Sequence, residues 1–188
     1  MRLIYKSCIV LIIFVIATGC CKEKTQPIPL VDSDGDPCVG TIIQPPPEIL
    51  AEVDAKKVKG LLNDASGAKG KGKLCTGKVF IVKKPITVYR VWGKTFEGQW
   101  WSFSYPEGPQ DAYRKANNIC KEWNSLDKLT VCYLKENSLI VIGPGQSADC
   151  KQNGPPYLNY PKSPVNQVYV PVMDLVGNCT NQVKWPAK

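Results

Sequence analysis

The chain has 188 residues, with 24 lysines and arginines against 16 aspartates and glutamates, a formal net charge of +8, nine cysteines and no histidine. This length suits one domain with a sizeable hydrophobic core and an additional segment. The lack of histidine excludes Ser-His-Asp and Cys-His catalysis and histidine-containing zinc sites, and it removes the commonest general base near neutral pH.

Residues 1–19 have the pattern of a secretory signal peptide, with a short basic start, an apolar run at 8–17 and small residues before a cleavage point. The apolar run is too short for a typical membrane span. The sequence ATGC at residues 17–20 resembles the lipobox of bacterial lipoproteins, which implies cleavage after Gly19 and diacylation of the Cys20 thiol. We therefore expect export and a lipid anchor at the bacterial cell envelope, on the periplasmic or surface face of a membrane. An ordinary signal peptide and an uncleaved anchor are the alternatives.

Six cysteines are left once Cys8 is removed with the signal, Cys20 carries the lipid and Cys21 lies beside the anchor. An even set in an exported chain predicts up to three disulfides, although the sequence does not specify their pairing. None of the six has the CxxC spacing of metal or thioredoxin-like sites, so no metal site is expected. The disulfide candidates are Cys38, Cys75, Cys120, Cys132, Cys150 and Cys179.

Residues 20–47 are polar and rich in proline, and they predict a tether that lifts the domain off the membrane. Aspartates at 32, 34 and 36 resemble half of a calcium loop, but the glycine and the bidentate glutamate that complete an EF-hand loop are missing at their positions. We therefore expect a plain linker here.

Residues 48–74 are predicted to form a helix over 48–63, from apolar residues at helical spacing, and a flexible basic loop over 66–73. Lysines are concentrated between Lys56 and Lys84, and such a surface could attract phosphates, nucleic acid or anionic lipid. Because no nucleic-acid-binding signature accompanies them, we expect a solvated surface and no nucleic-acid partner.

Residues 75–188 are predicted to be the main domain, an α+β fold with a small, mostly antiparallel sheet, peripheral helices and stabilising disulfides. Residues 129–134 and 138–142 resemble a hairpin, and Gly143-Pro144-Gly145 predicts a break in the chain. A helix is expected over 109–119, with Ala112, Ala116 and Ile119 facing inward. Runs of β-branched and aromatic residues predict further strands at 78–82, 87–92, 99–104 and 167–173.

Arg90 lies between apolar residues in one of these strands. A guanidinium group on the buried side of a sheet needs a partner, and it can bind a phosphate or a carboxylate through two parallel hydrogen bonds. The sequence therefore predicts either an anion-binding arginine or an internal ion pair with an aspartate or glutamate.

Four patterns in this order resemble the ADP-ribosyltransferase-like domains at the ends of bacterial polymorphic toxins. They are YRVWG at 89–93, WS at 101–102, a proline at 106 followed by YR at 113–114, and NQVYVP at 166–171. The resemblance covers about residues 85–174. It implies an ADP-ribosyltransferase-like fold that cleaves the bond between nicotinamide and ribose, with NAD as the substrate and no cofactor.

Gln167 stands where the transferase pattern has a catalytic glutamate, which in that family holds a ribose hydroxyl and favours an oxocarbenium-like transition state. An amide can orient a hydroxyl but brings no negative charge to the developing positive centre. The necrotizing-toxin group of NAD glycohydrolases, similar in fold, has a glutamine at this place. That likeness implies hydrolysis of NAD to nicotinamide and ADP-ribose.

The resemblance implies roles for individual residues. Arg90 would grip the NAD diphosphate, Ser102 would line the nicotinamide pocket, and Gln167 would position the ribose or the attacking water. The substrate-binding candidates are Tyr89, Trp101, Arg114 as a second phosphate contact, Gln146 in the polar loop 143–150, and Asn166. The alternative is a non-catalytic surface lipoprotein that uses the same fold to bind an NAD-like nucleotide or an unidentified protein partner.

Overall fold

The computed structural model describes residues 29–58, 60–151, 159–180 and 182–186. The predicted signal peptide and Cys20 lie outside these residues. No helix among the described residues is long and apolar enough to cross a membrane. In this part of the chain the strands are β1 Leu50–Val53, β2 Lys78–Val82, β3 Ile86–Trp92, β4 Trp100–Trp101, β5 Lys128–Leu134, β6 Leu139–Gly145, β7 Ala148–Asp149, β8 Asn159–Tyr160, β9 Ser163–Tyr169, β10 Val176–Gly177 and β11 Val183–Lys184, and the α-helices are α1 Leu61–Ala65 and α2 Gln110–Asn117.

Two antiparallel sheets form the body of the domain, and they confirm the predicted class of a small, mostly antiparallel fold with few helices. The first sheet has the order β1-β2-β6-β9-β4. In the second, β5 pairs along its whole length with β3 and also pairs with the short strands β10 and β11.

The first sheet is apolar on both faces. Phe80 and Ile142 belong to the same buried cluster as Val88 and Leu134 of the second sheet. The alternate residues of the first sheet, among them Val141, belong to a second cluster that includes residues of α1 and the following loop. Because side chains alternate across a strand, this pattern places the first sheet between two apolar layers.

The helix predicted over 48–63 is wrong. Leu50–Val53 is strand β1, which pairs with β2, and the segment continues with a 3-10 turn at Ala55–Lys57 and the short α1. Gly60 interrupts any longer helix because its φ is +89°, a left-handed conformation. Pairing with β2 therefore outweighs the helical spacing of the apolar residues.

The predicted hairpin at 129–142 is also wrong, because β5 and β6 follow each other in sequence but belong to different sheets. Gly143-Pro144-Gly145 does not break the chain either: it completes β6, with a shift of register between Pro144 and Gly145. In α2, Ala112 is exposed, whereas Tyr113 is half-buried and Arg114 is buried.

Three disulfides are present, as the even set of cysteines predicts, and they join Cys38 to Cys75, Cys120 to Cys150, and Cys132 to Cys179. The first crosses the predicted boundary at residue 75. The second lies just after α2. The third ties β5 to the segment that follows β10.

Residues 30–38, which we call the N-terminal strap, are bound to the domain. The buried Asp32 carboxylate accepts hydrogen bonds from Lys162 Nζ at 2.7 Å and from Gln146 Nε2 at 3.0 Å. Lys162 Nζ also donates to the carbonyls of Asp36 and Pro37. These contacts hold the pKa of Asp32 well below its usual range, first through Lys162. The aspartate segment is thus held around a lysine ammonium group, which differs from the plain linker predicted for it.

Candidate functional site

A cleft of about 300 Å³ lies between β3, β4, the end of α2 and β9. Its polar lining is cationic or amide in character, and among the described residues no carboxylate lines it. The lining comprises the cations Lys71, Lys73 and Arg90, the aromatic residues Trp100, Trp101, Tyr113 and Trp123, the amides Asn117, Asn118, Asn124 and Gln167, and the apolar Val91 and Ile119.

Arg90 is 9% exposed and donates hydrogen bonds to three main-chain carbonyls. Nε bonds to Phe96 O at 3.0 Å, Nη1 to Trp100 O at 3.0 Å and Nη2 to Glu97 O at 3.3 Å. The guanidinium group packs closely on Gly98: a Cβ there would lie 2.0 Å from Nη2, so a larger residue would displace the guanidinium group. A guanidinium group has five N–H donors, so two are left for a ligand.

Arg90 has no carboxylate partner, since the ion pairs of the described residues all involve lysines. Burial lowers the pKa of Arg90, although an arginine stays charged at any physiological pH. Its guanidinium carbon lies 6.0 Å from the centre of the Trp101 ring, at the outer limit of a cation–π contact. The charge of Arg90 is therefore balanced by carbonyl dipoles, and the internal ion pair considered from the sequence is not formed among the described residues.

Gln167 lies on β9 and is 7% exposed. Its Nε2 donates to the carbonyl of Asn117 at 3.2 Å. Asn117 is the last residue of α2, and carbonyls at a helix C-terminus have no partner within the helix. One of the two Nε2 hydrogens is thus committed to α2, and Oε1 can accept a hydrogen bond from a ligand.

Tyr113 lines the cleft, whereas Arg114 does not. Burial raises the pKa of the Tyr113 hydroxyl to about 12, and the nearby charge of Arg90 offsets part of that rise. Arg114 donates to the carbonyls of Cys120 and Ser125, and so it holds the segment after α2. Neighbouring helical residues point about 100° apart, which explains why only one of this pair faces the cleft.

Ser102 and Tyr89 also lie outside the cleft lining. Ser102 Oγ donates to the carbonyl of Ser104 and accepts from its amide, which closes a local turn. Tyr89 packs edge-on against Tyr105, with ring centres 5.5 Å apart. The nicotinamide-pocket role expected for Ser102 thus has no counterpart in this lining.

Gln146 and Asn166 tie the N-terminal part of the chain to the domain. Gln146 is fully buried and donates to Asp32 and to the carbonyl of Gly67. Asn166 donates to Thr41 O at 2.8 Å and accepts from the amide of residue 43. Of the eight catalytic and substrate-binding candidates, the cleft brings together Arg90, Trp101 and Gln167.

Lys71 and Lys73 line the cleft although they were not predicted as site residues, because the lysine-rich stretch 56–84 was expected to be a solvated surface. They belong to the loop predicted to be flexible, yet main-chain hydrogen bonds join Gly72 N to Ser147 O and Asp149 N to Gly70 O. The chain is not extended here, because φ is +67° at both Gly72 and Lys73. The sequence signal for the two lysines is the concentration of lysines between Lys56 and Lys84.

Cys120, Cys150 and Glu122 lie close enough together to suggest a metal site. Both sulfur atoms are already joined to each other in a disulfide, so neither is a thiolate ligand. In comparisons with known proteins, no family model, no curated protein and no solved structure matches the chain.

Proposed function

We propose that this chain binds NAD in the cleft and hydrolyses the bond between its nicotinamide and ribose, on an ADP-ribosyltransferase-like fold. The observation that carries the proposal is that Arg90, Trp101 and Gln167, which come from separate motifs, line one cleft. Ring-bearing anionic ligands need aromatic walls and cations, and the cleft offers both without a carboxylate to repel phosphates.

The exposed Lys71 and Lys73 supply the mobile positive charge at this cleft, whereas Arg90 is buried. We therefore place the diphosphate near the two lysines and the free donors of Arg90. The cleft has the volume of a small ligand pocket, so it encloses one end of a dinucleotide rather than the whole molecule.

The reaction needs little acid–base chemistry, because the leaving group is a cationic pyridinium ring. The electron pair of the C1′–N bond moves to the ring nitrogen, neutral nicotinamide departs, and water adds to the oxocarbenium carbon and releases a proton to solvent. Gln167 Oε1 would hold a ribose hydroxyl or the water in place. Orientation of well-aligned groups can lower a barrier by about 7–11 kcal/mol.

A binding module without catalysis is the second candidate. Two observations favour it: no carboxylate lines the cleft among the described residues, and three donors of Arg90 are committed to main-chain carbonyls. A developing positive charge at C1′ would then find no anion to stabilise it.

Nicotinamide release from NAD by the purified protein separates the two candidates when it is combined with thermal shifts in NAD and ADP-ribose. Release that Gln167→Ala abolishes supports the enzyme, whereas ligand-dependent stabilisation without release supports the module. If the folded protein shows neither, both are wrong.

Charge reversal tests where the phosphates bind. The double variant Lys71→Glu/Lys73→Glu should weaken nucleotide binding at least about tenfold at low salt. The control is Lys56→Glu/Lys57→Glu, which makes the same change in net charge at exposed positions outside the cleft lining. Equal losses in both would mean that only the overall charge matters.

We also propose that Cys20 carries a lipid that anchors the protein at the cell envelope. The three disulfides support an oxidising compartment. Mass spectrometry of the membrane fraction should find an acylated N-terminal peptide that begins at Cys20, and Cys20→Ser should release the protein from that fraction. Full retention of Cys20→Ser, with no acylated peptide, would refute the anchor.

A further inference from the structure

The C-terminal end of α2 is capped by side chains of β9. Ser163 Oγ donates to Ala116 O at 2.6 Å, and Gln167 Nε2 donates to Asn117 O at 3.2 Å. The next residue, Asn118, donates a hydrogen bond from Nδ2 to Pro161 O, two residues before β9 begins. Three successive residues of the helix end are thus bonded to one segment of the chain.

The surroundings of the Gln167 amide nitrogen are rich in acceptors. Besides Asn117 O, a second acceptor lies nearby: the buried Asn118 Oδ1, which has no hydrogen-bond partner among the described residues. A Cβ at Gly145 would lie 2.9 Å from Gln167 Nε2 and 2.6 Å from Asn118 Oδ1, so both side chains approach Gly145. The C-terminus of a helix also carries partial negative charge. These surroundings stabilise a hydrogen-bond donor at the end of side chain 167 and destabilise a carboxylate at that place.

Positive groups share the cleft lining with Gln167 and would favour a carboxylate at position 167. Among these positive groups Arg90 is buried, and its guanidinium group donates hydrogen bonds to three carbonyls of residues 96–100. Lys71 and Lys73 are exposed and screened by solvent, and Tyr113 stays neutral below about pH 12. We expect the acceptors beside the amide, one of them hydrogen-bonded to it, to outweigh these cations.

We propose that the end of α2 fixes the amide of Gln167, so that position 167 excludes a carboxylate and Oε1 accepts a hydroxyl group of the bound ligand. This assigns a positioning role to Ser163, which caps the neighbouring carbonyl. It accounts physically for a glutamine where the transferase pattern has glutamate. The ligand class is a nucleotide with a free sugar hydroxyl at the inner end of the cleft, and this second part rests on the proposed function.

The first test uses Gln167→Glu and Gln167→Met, which have similar shapes and both lose the donor. At pH 7 both should melt lower than the unchanged protein by about 3 °C or more, and the glutamate variant should be the less stable. A glutamic acid next to acceptors has a raised pKa in the folded state. Its stabilisation is therefore present below about pH 4, where it donates an O–H, and lost as the pH rises.

Thermal melts between pH 3.5 and 8 should thus show the order of the two variants reversing in acid. A Gln167→Glu protein as stable as the unchanged one at pH 7 would overturn the exclusion of a carboxylate. Ser163→Ala should weaken binding, while Ser163→Thr, which keeps the hydroxyl, should restore it. No change in ligand affinity in a folded Ser163→Ala protein would refute the positioning role.

The second test compares ADP-ribose with ADP by titration calorimetry, because only ADP-ribose carries the additional sugar. The unchanged protein should prefer ADP-ribose, and Gln167→Met should lose about tenfold in affinity for it but little for ADP. An equal loss for both ligands would refute the contact with the sugar hydroxyl. If neither ligand binds the unchanged protein, the proposed function and the hydroxyl contact both fail, whereas the melting results still decide the cap.

Discussion

The substitution Arg90→Lys distinguishes two roles of Arg90. One is structural, to hold residues 96–100 through hydrogen bonds to their carbonyls, and the other is to bind a phosphate of the ligand. The guanidinium group bonds to three carbonyls from three different nitrogens. A lysine keeps the charge, but its single ammonium group cannot occupy all three positions. Each hydrogen bond from a charged group contributes about 1.5–3 kcal/mol. Loss of one or two at this nearly buried site should therefore cost about 3 kcal/mol.

For a chain of this size, about 3 kcal/mol corresponds to a fall in melting temperature of roughly 6–12 °C. Urea unfolding without reductant, followed by tryptophan fluorescence, measures the free energy directly. Arg114→Lys is the matched comparison, because Arg114 is also buried and bonded to carbonyls but does not line the cleft. It should lower stability and should affect ADP-ribose affinity less than Arg90→Lys does, because Arg114 itself offers the ligand no donor.

The result that would refute this reasoning is an Arg90→Lys protein within about 0.5 kcal/mol of the unchanged stability that no longer binds nucleotide. The contacts to the loop would then contribute little, and Arg90 would serve chiefly as a phosphate ligand. Lower stability with unchanged nucleotide affinity would show that Arg90 has only the structural role of holding residues 96–100.

Three further outcomes follow from the packing. Trp92→Phe removes the buried bond from Nε1 to Thr130 Oγ1 at 3.0 Å and should cost about 2 kcal/mol in urea unfolding; no change would mean that water replaces the indole. Asp32→Asn should lower the melting temperature at pH 7. Lys162 holds the pKa of Asp32 below its unfolded value of about 3.9, so this stabilisation is present above about pH 4 and is lost in stronger acid. The melting temperatures of the two proteins should therefore converge in strong acid. A difference in melting temperature that does not change with pH would exclude the ion pair as the source of the stabilisation. Reduction of the disulfides should lower the melting temperature, since each contributes about 2–4 kcal/mol, and an unchanged melt in a fully reduced sample would show that they are not needed.

Local composition was sufficient to predict the central strands. The β-branched and aromatic run at 78–82 coincides with β2, and the run at 87–92 lies within β3. Local patterns failed where distant pairing decides. Apolar residues at 50–53 suit a helix face as well as a strand, and only the partner β2 distinguishes them. The two strands at 128–145 are neighbours in sequence, but each pairs with a distant strand.

The candidate site was predictable to the extent that its residues lie in motifs. Arg90 and Gln167 were selected in this way and line the same cleft. Lys71 and Lys73 were not, because their place depends on the contact of a glycine-rich loop with residues 147–149. Arg114 was predicted as the ligand contact, but the neighbouring Tyr113 lines the cleft. The sequence does not show which side of α2 faces the cleft, because that is set by packing.

The N-terminal strap determines how far the domain could move from a membrane. If Cys20 carries a lipid, the chain between the lipid and the strap is the segment from Cys20 to Leu30, because the main-chain hydrogen bond from Cys38 N to Leu30 O begins the strap. That segment spans at most about 35 Å when fully extended, against about 90 Å for a tether that ends at residue 47. The Asp32–Lys162 ion pair and the Cys38–Cys75 disulfide thus attach the chain to the domain a short distance after Cys20. A domain held this close would meet its ligand within one molecular diameter of the bilayer surface.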